Sequence, residues 1–237
     1  MHPRYGRRLP LTPAQGLFVA QASWMMTAGA VVLAMFIHLI DGARAIPFFI
    51  SEADYTGLQG HVFTWGLTLA GLLQMIYAWH LYHAVGAQHE RLWFVAALFG
   101  LLAATNTVLV SHFDMYDFIN PHIATAMLAF GGGIVWAYLA QRALGAKGTE
   151  RGAGLRRFGF RLAFAGFVVM VVSFQFAVST FDPTGMSTEA FLNAAQGGIR
   201  LAAPAEYALV AGLLICLASF KHELLHQSQE HEPEPLQ

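Results

Sequence analysis

The chain has 237 residues, of which 56% are hydrophobic and only 11% are charged, and its mean hydropathy is +0.50. A soluble globular domain carries about a quarter charged residues, so this composition excludes a soluble protein and indicates an integral membrane protein. The formal net charge is −1, so the chain has no excess of positive charge with which to bind nucleic-acid phosphates. We therefore expect no nucleic-acid partner.

Six apolar segments are long enough to cross a bilayer, which takes about 20 residues per helix. They cover residues 15–40, 60–84, 92–111, 122–143, 158–180 and 199–220. The sequence therefore predicts an all-α polytopic membrane protein, a bundle of six transmembrane helices spanning residues 15–220. Residues 1–14 form a short N-terminal segment, and residues 221–237 a polar tail that we expect to be frayed.

The basic residues indicate which side of the membrane each connection occupies. With six spans, most Lys and Arg side chains fall on the side of the two termini, and only Arg44 and Arg200 fall on the other. The positive-inside rule then predicts that both termini are cytoplasmic, in a plasma or inner membrane. The first, third and fifth connections would face outward.

Polar side chains gather at the predicted outward ends of the helices. His38, His61, His112 and His122 lie at one membrane depth on four successive spans. Carboxylates and other polar groups accompany them. The candidate ligand-binding residues are Ser51, Glu52, Asp54, His61, Asn106, His112, Asp114, His122 and Glu206.

Glu206 is the sharpest of these signals because it lies inside the sixth span. An ionisable group within a span marks a functional site by default, and we expect its partner to be a histidine or the Asn106 amide from another helix. The alternative is a single interhelical hydrogen bond that fixes the packing, worth about 1 kcal/mol. We expect His61, His112, Asp114 and His122 to meet Glu206 in one outward-opening cavity.

Two functions fit this group, and the sequence leaves both open. In the first, the polar side chains form a pocket that handles or senses a membrane lipid. In the second, His38, His61, His112 and His122 bind a metal ion or haem in a membrane metalloenzyme or redox protein, since imidazole suits zinc, iron and copper. No catalytic residue is identified, and the sequence suggests no cofactor beyond this metal ion or haem.

The first outward loop is too apolar to be solvated without cost. Pro47, Phe48, Phe49 and Ile50 follow one another in it. We expect the loop to fold over the bundle and to carry Ser51 and Glu52 towards His61.

Residues 46–57, followed by Val62 and Phe63, resemble the outer-loop signature of the DRAM/Frag/Sfk membrane proteins. Pro47, Phe49, Ile50, Ser51 and Gly57 fit that signature. The His-led fourth helix is similar to that of the family, and Glu206-Tyr207 stands where the family has a Glu-Trp pair. The resemblance implies six spans, cytoplasmic termini and membrane lipids as partners. Self-association or a larger membrane complex stays open.

Overall fold

The structure, a computed structural model, describes residues 10–230, with side chains up to residue 227. Within that range the chain forms eight α-helices and no strand. They are α1 (Pro13–Gly42), α2 (Leu58–Ala84), α3 (Glu90–Val110), α4 (Ile119–Leu144), α5 (Glu150–Val178), α6 (Thr188–Ala194), α7 (Gln196–Ser219) and α8 (Lys221–Glu230). Short 3-10 helices cover Ile50–Ala53 and Gly145–Lys147.

Six helices are long and apolar enough to cross a membrane: α1 to α5, and α7 continued into α8. This confirms the prediction of an all-α, multi-pass membrane protein. The short helix α6 lies in the fifth connection and was not expected. Its N-cap is Ser187, whose hydroxyl accepts from the Ala190 N–H.

The helices form two groups. Helices α1, α2, α3 and α4 pack in succession, and α5 packs closely against α7. The α5–α7 approach depends on glycines: a Cβ on Gly166 would lie 2.5 Å from the Ala205 carbonyl oxygen, and one on Gly212 would lie 2.5 Å from the Gly159 carbonyl oxygen. Small residues let helix backbones approach this closely. Contacts between α4 and α5 are much sparser.

The connections alternate between the two ends of the bundle. The loop end carries residues 43–57, 111–118 and 179–195, and the arginine end carries residues 85–89 and 145–149. Helix α1 begins at the arginine end, after the N-cap Thr12, and α8 lies at the same end. Residues 1–9 and 231–237 lie outside the described residues.

The prediction of a frayed tail is wrong for residues 221–230, which form α8. Glu223 of this helix is buried, and its Oε1 lies 2.7 Å from Nη2 of Arg156 in α5. The backbone N–H and hydroxyl of Thr149 donate to the same carboxylate. This ion pair ties the start of α8 to the bundle.

The side of the membrane on which each end lies is a prediction of the positive-inside rule. Cysteines introduced at Thr184, in the loop end, and at Ala146, in the arginine end, should report it, because both positions are exposed and the native Cys216 is buried. In intact cells, a membrane-impermeant maleimide should label Thr184→Cys at once and Ala146→Cys only after permeabilisation. The reverse order would place the loop end in the cytoplasm.

Candidate functional site: a cavity beneath a clamped loop

The loop of residues 43–57 folds over the bundle, as predicted. Phe48, Phe49 and Ile50 are only 5–7% exposed. His38 packs edge-on against Phe48, with ring centroids 5.0 Å apart, and Phe49 packs against Phe174 of α5 at 5.3 Å. Burial of each large apolar side chain stabilises the closed loop by about 1.5–3 kcal/mol.

Helix α7 holds the backbone of this loop through three side chains. Oε2 of Glu206 accepts a hydrogen bond of 2.7 Å from the Ile50 N–H. The Tyr207 hydroxyl donates to the Phe48 carbonyl, and Nε2 of Gln196 donates to the Pro47 carbonyl at 3.1 Å. We call these three contacts the loop clamp.

A buried ion pair reinforces the loop clamp from within the loop. Nε and Nη2 of Arg44 donate to Oε2 of Glu52 at 3.1 and 2.9 Å. Nη1 of Arg44 reaches Asn193 at 3.0 Å and Gln196 at 2.8 Å. The other Glu52 oxygen accepts from the Phe49 N–H at 2.9 Å. Burial raises the pKa of Glu52, while that N–H and Arg44 act in the opposite direction.

Two expectations about this region are wrong. The partner of Glu206 is a backbone amide, neither a histidine nor Asn106, whose Nδ2 donates to the Leu102 carbonyl of its own helix at 2.9 Å. The loop also does not carry Glu52 to His61. Glu52 is turned to Arg44, and His61 is exposed.

A cavity of about 340 Å³ lies beneath the loop, lined by residues from all six spans. Most of its wall is apolar, with Phe63 and Leu67 from α2 and Val210 and Leu213 from α7 among the lining side chains. A smaller set of polar side chains also lines it: Thr27, Ser51, Gln74, Thr107, His122, Gln175 and Glu206.

The cavity brings together three of the predicted site residues, Ser51, His122 and Glu206. The Ser51 hydroxyl donates to Sδ of Met115 at 3.2 Å. Nδ1 of His122 lies 2.6 Å from the Phe113 carbonyl oxygen. Because a carbonyl oxygen only accepts, Nδ1 must carry the proton, which leaves Nε2 of the neutral ring as an acceptor.

The other predicted site residues do not line the cavity. His61 and His112 are exposed, and Nε2 of His112 lies 3.1 Å from the Thr68 hydroxyl. Asp114 accepts from the Tyr116 and Asp117 amides at 2.9 and 2.7 Å and so shapes its own turn. Of the five residues predicted to converge, only His122 and Glu206 therefore line the cavity.

The four histidines proposed as metal ligands do not form one group. Among the side chains of residues 10–227, no three from His, Cys, Asp or Glu are arranged to hold a metal ion. His38 is buried against Phe48, and His122 bonds to a carbonyl.

Asp54, at the end of the loop's 3-10 helix, is buried. Burial, and secondarily the charge of Asp114, raise the pKa of Asp54 to about 8, against a hydrogen bond from Thr64 that lowers it. The folded loop therefore holds a protonated carboxyl at neutral pH.

Residues 13–227 match the family described as the Frag1/DRAM/Sfk1/Cwh43P N-terminal domain. The chain belongs to this family. The match covers nearly the whole sequence and confirms the resemblance seen in the outer-loop and Glu206 motifs. No curated protein and no solved structure matches the chain significantly.

Arg44→Met should destabilise this family member, because it leaves the buried Glu52 carboxylate without its counter-charge. Breaking a buried ion pair costs about 3–5 kcal/mol, which is measurable as the free energy of unfolding in mixed detergent micelles. Adding Glu52→Gln should recover part of the loss. Arg200→Met, at an exposed arginine of the same end, is the control. Equal stabilities of the Arg44 and Arg200 variants would contradict the buried pair.

Asp54→Asn should flatten the pH dependence of stability. The pKa of Asp54 is about 8 in the folded loop, against an ordinary value of 3.8. At a pH between these two values, the folded state therefore holds a proton that the unfolded state has lost. Its free energy of unfolding should fall as pH rises from about 4 to about 8. Thermal unfolding across this range should show a smaller fall in the variant. An unchanged slope would show that Asp54 is ionised in the folded protein. Asp117→Asn, at an exposed site, controls for net charge.

Proposed function

We propose that this protein binds a membrane lipid in its central cavity, with the apolar body of the lipid between the helices and its polar end beneath the loop clamp. The observation that carries the proposal is the cavity itself. Its volume of about 340 Å³ falls in the range of about 300–1,000 Å³ usual for small-molecule sites, which are mostly apolar with a few placed polar groups.

The polar end of the cavity favours one class of lipid. Oε2 of Glu206 accepts from Ile50, and Oε1 has no hydrogen-bond partner among the described residues. Nε2 of His122 is an acceptor. The Ser51 hydroxyl donates its hydrogen bond to Sδ of Met115, so towards a ligand its oxygen can only accept. A ligand hydroxyl can donate to Nε2 of His122, and it can either donate to or accept from the free oxygen of the Glu206 carboxyl group. These groups fit an uncharged lipid with a free hydroxyl, such as a diacylglycerol or a sterol.

The sparse seam between α4 and α5 provides an entrance from the bilayer. Ile123 of α4 is 42% exposed and Gln175 of α5 is exposed, yet both line the cavity. The cavity therefore meets the lipid-facing surface between these helices. A lipid entering sideways would keep its apolar body out of water throughout.

Filling the cavity should abolish lipid binding. Ala126→Phe places a ring in the cavity, because Ala126 lines it, whereas Ala124→Phe places the same ring on the exposed face of α4. In nanodiscs, a photoactivatable diacylglycerol or sterol should label the wild type and Ala124→Phe strongly. Labelling of Ala126→Phe should fall to background. Strong labelling of Ala126→Phe at the cavity-lining peptides would refute the proposal.

Glu206→Gln should separate ligand recognition from folding. The amide oxygen of Gln can still accept from Ile50, while its NH₂ group, which only donates, takes the place of Oε1 in the cavity. We expect near-wild-type thermal stability with loss of the photolabelling. Glu206→Leu should lose both, because the Ile50 N–H is then buried without a partner, and the exposed Glu189→Gln should be silent. Full labelling of Glu206→Gln would show that Glu206 only makes a hydrogen bond that fixes the packing and plays no part in ligand recognition.

A further inference from the structure

A second concave site lies at the arginine end, between α3, α4 and α5. It is a groove of about 970 Å³ and shares no residue with the central cavity. Its basic side chains are His89, Arg91, Arg142, Arg156 and Arg157. Among the described residues, no Asp or Glu lines it.

Three of these arginines have no counter-charge among the side chains of residues 10–227. Arg91, Arg142 and Arg157 are exposed, and none of them forms a salt bridge within that range. The Arg142 guanidinium lies 5.9 Å from the Tyr138 ring. A groove lined by charges of one sign concentrates ions of the other sign.

Arg156 supplies an independent sign of a missing ligand. It is fully buried, with Nη2 bonded to Glu223 at 2.7 Å and Nε bonded to Gln141 at 3.0 Å. Its remaining nitrogen, Nη1, is buried without a partner in the described part of the chain. A buried donor left without an acceptor is costly, and Arg156 lines the groove. An anionic oxygen there would satisfy it.

The groove also has apolar walls. Leu92 and Val95 of α3 and Phe160 of α5 line it beside the arginines, and all belong to membrane-spanning helices. A free anion would gain nothing from these side chains, whereas a lipid would place its acyl chains against them. Basic pockets between helices at the membrane surface suit anionic headgroups, and a guanidinium matches the oxygens of a phosphate.

We propose that this groove binds the phosphate of an anionic glycerophospholipid, in the leaflet that the positive-inside rule predicts to be cytoplasmic. The phosphate lies among Arg91, Arg142 and Arg157, and the acyl chains run along Val95 and Phe160. The site is independent of the lipid cavity at the loop end.

Native mass spectrometry of the full chain in detergent tests this proposal with three probes: short-chain phosphatidylglycerol, phosphatidylcholine of the same chain length, and inorganic phosphate. Phosphatidylglycerol should bind more tightly than the other two. Arg142→Gln with Arg157→Gln should weaken it by about fivefold for each arginine removed, which corresponds to about 1 kcal/mol each. The matched double variant Arg151→Gln with Arg161→Gln changes two exposed arginines outside the groove and should bind as the wild type does.

Several results would overturn the proposal. Equal binding of phosphatidylglycerol and phosphatidylcholine would show that the charge of the headgroup does not matter. Equal loss of phosphatidylglycerol affinity in the two double variants would show that the groove is not the binding site. Binding of inorganic phosphate as tight as that of the lipid would make this a site for soluble anions. Ala126→Phe should leave phosphatidylglycerol binding intact. If it does not, the lipid is in the central cavity.

Discussion

The hydrogen bond between Glu206 and the Ile50 N–H is the contact on which the loop end depends. A carboxyl group inside a span must find a polar partner, and the first N–H groups of a short helix have no partner within it. One bond gives both groups a partner and fixes the loop above the cavity. Glu52 repeats the arrangement at the Phe49 N–H and is itself neutralised by Arg44. The Glu206 carboxyl group thus holds the loop against the bundle, and the Glu52 carboxyl group holds the loop in its own shape.

The cavity and the basic groove have a common origin in the packing of the helices. Helix α5 approaches α7 so closely at Gly166 and Gly212 that a Cβ would collide with the opposite backbone. Because α5 is drawn to α7, its seam with α4 is left loosely packed. The central cavity reaches this seam near the loop end, at Ile123 and Gln175, and the groove occupies the seam at the arginine end. The two concave sites therefore both lie along the loosely packed side of α5.

The sequence predicted the spans and the burial of Phe48 and Phe49 because the length of an apolar run and the cost of solvating it are local properties. It did not predict which histidine faces inward. Lipid-facing and core-facing positions are both apolar in a membrane helix, so no pattern distinguishes His122, which lines the cavity, from His61, which is exposed. The partner of Glu206 was missed because a backbone amide has no signature in the sequence. Arg44 and Arg200 are the only Lys or Arg residues on the predicted outward side, and Arg44 was the available sign of the buried ion pair with Glu52.

An experimental density map of this Frag1/DRAM/Sfk1 family member, reconstituted in a bilayer of native lipids, tests the account most directly. The feature to examine is the density inside the central cavity. We predict an elongated ligand that passes between α4 and α5 near Ile123 and Gln175. Its polar end should lie within hydrogen-bond distance of Glu206 or His122. A cavity filled by rearranged side chains or by ordered water alone, with the loop still clamped to Glu206, would contradict the account.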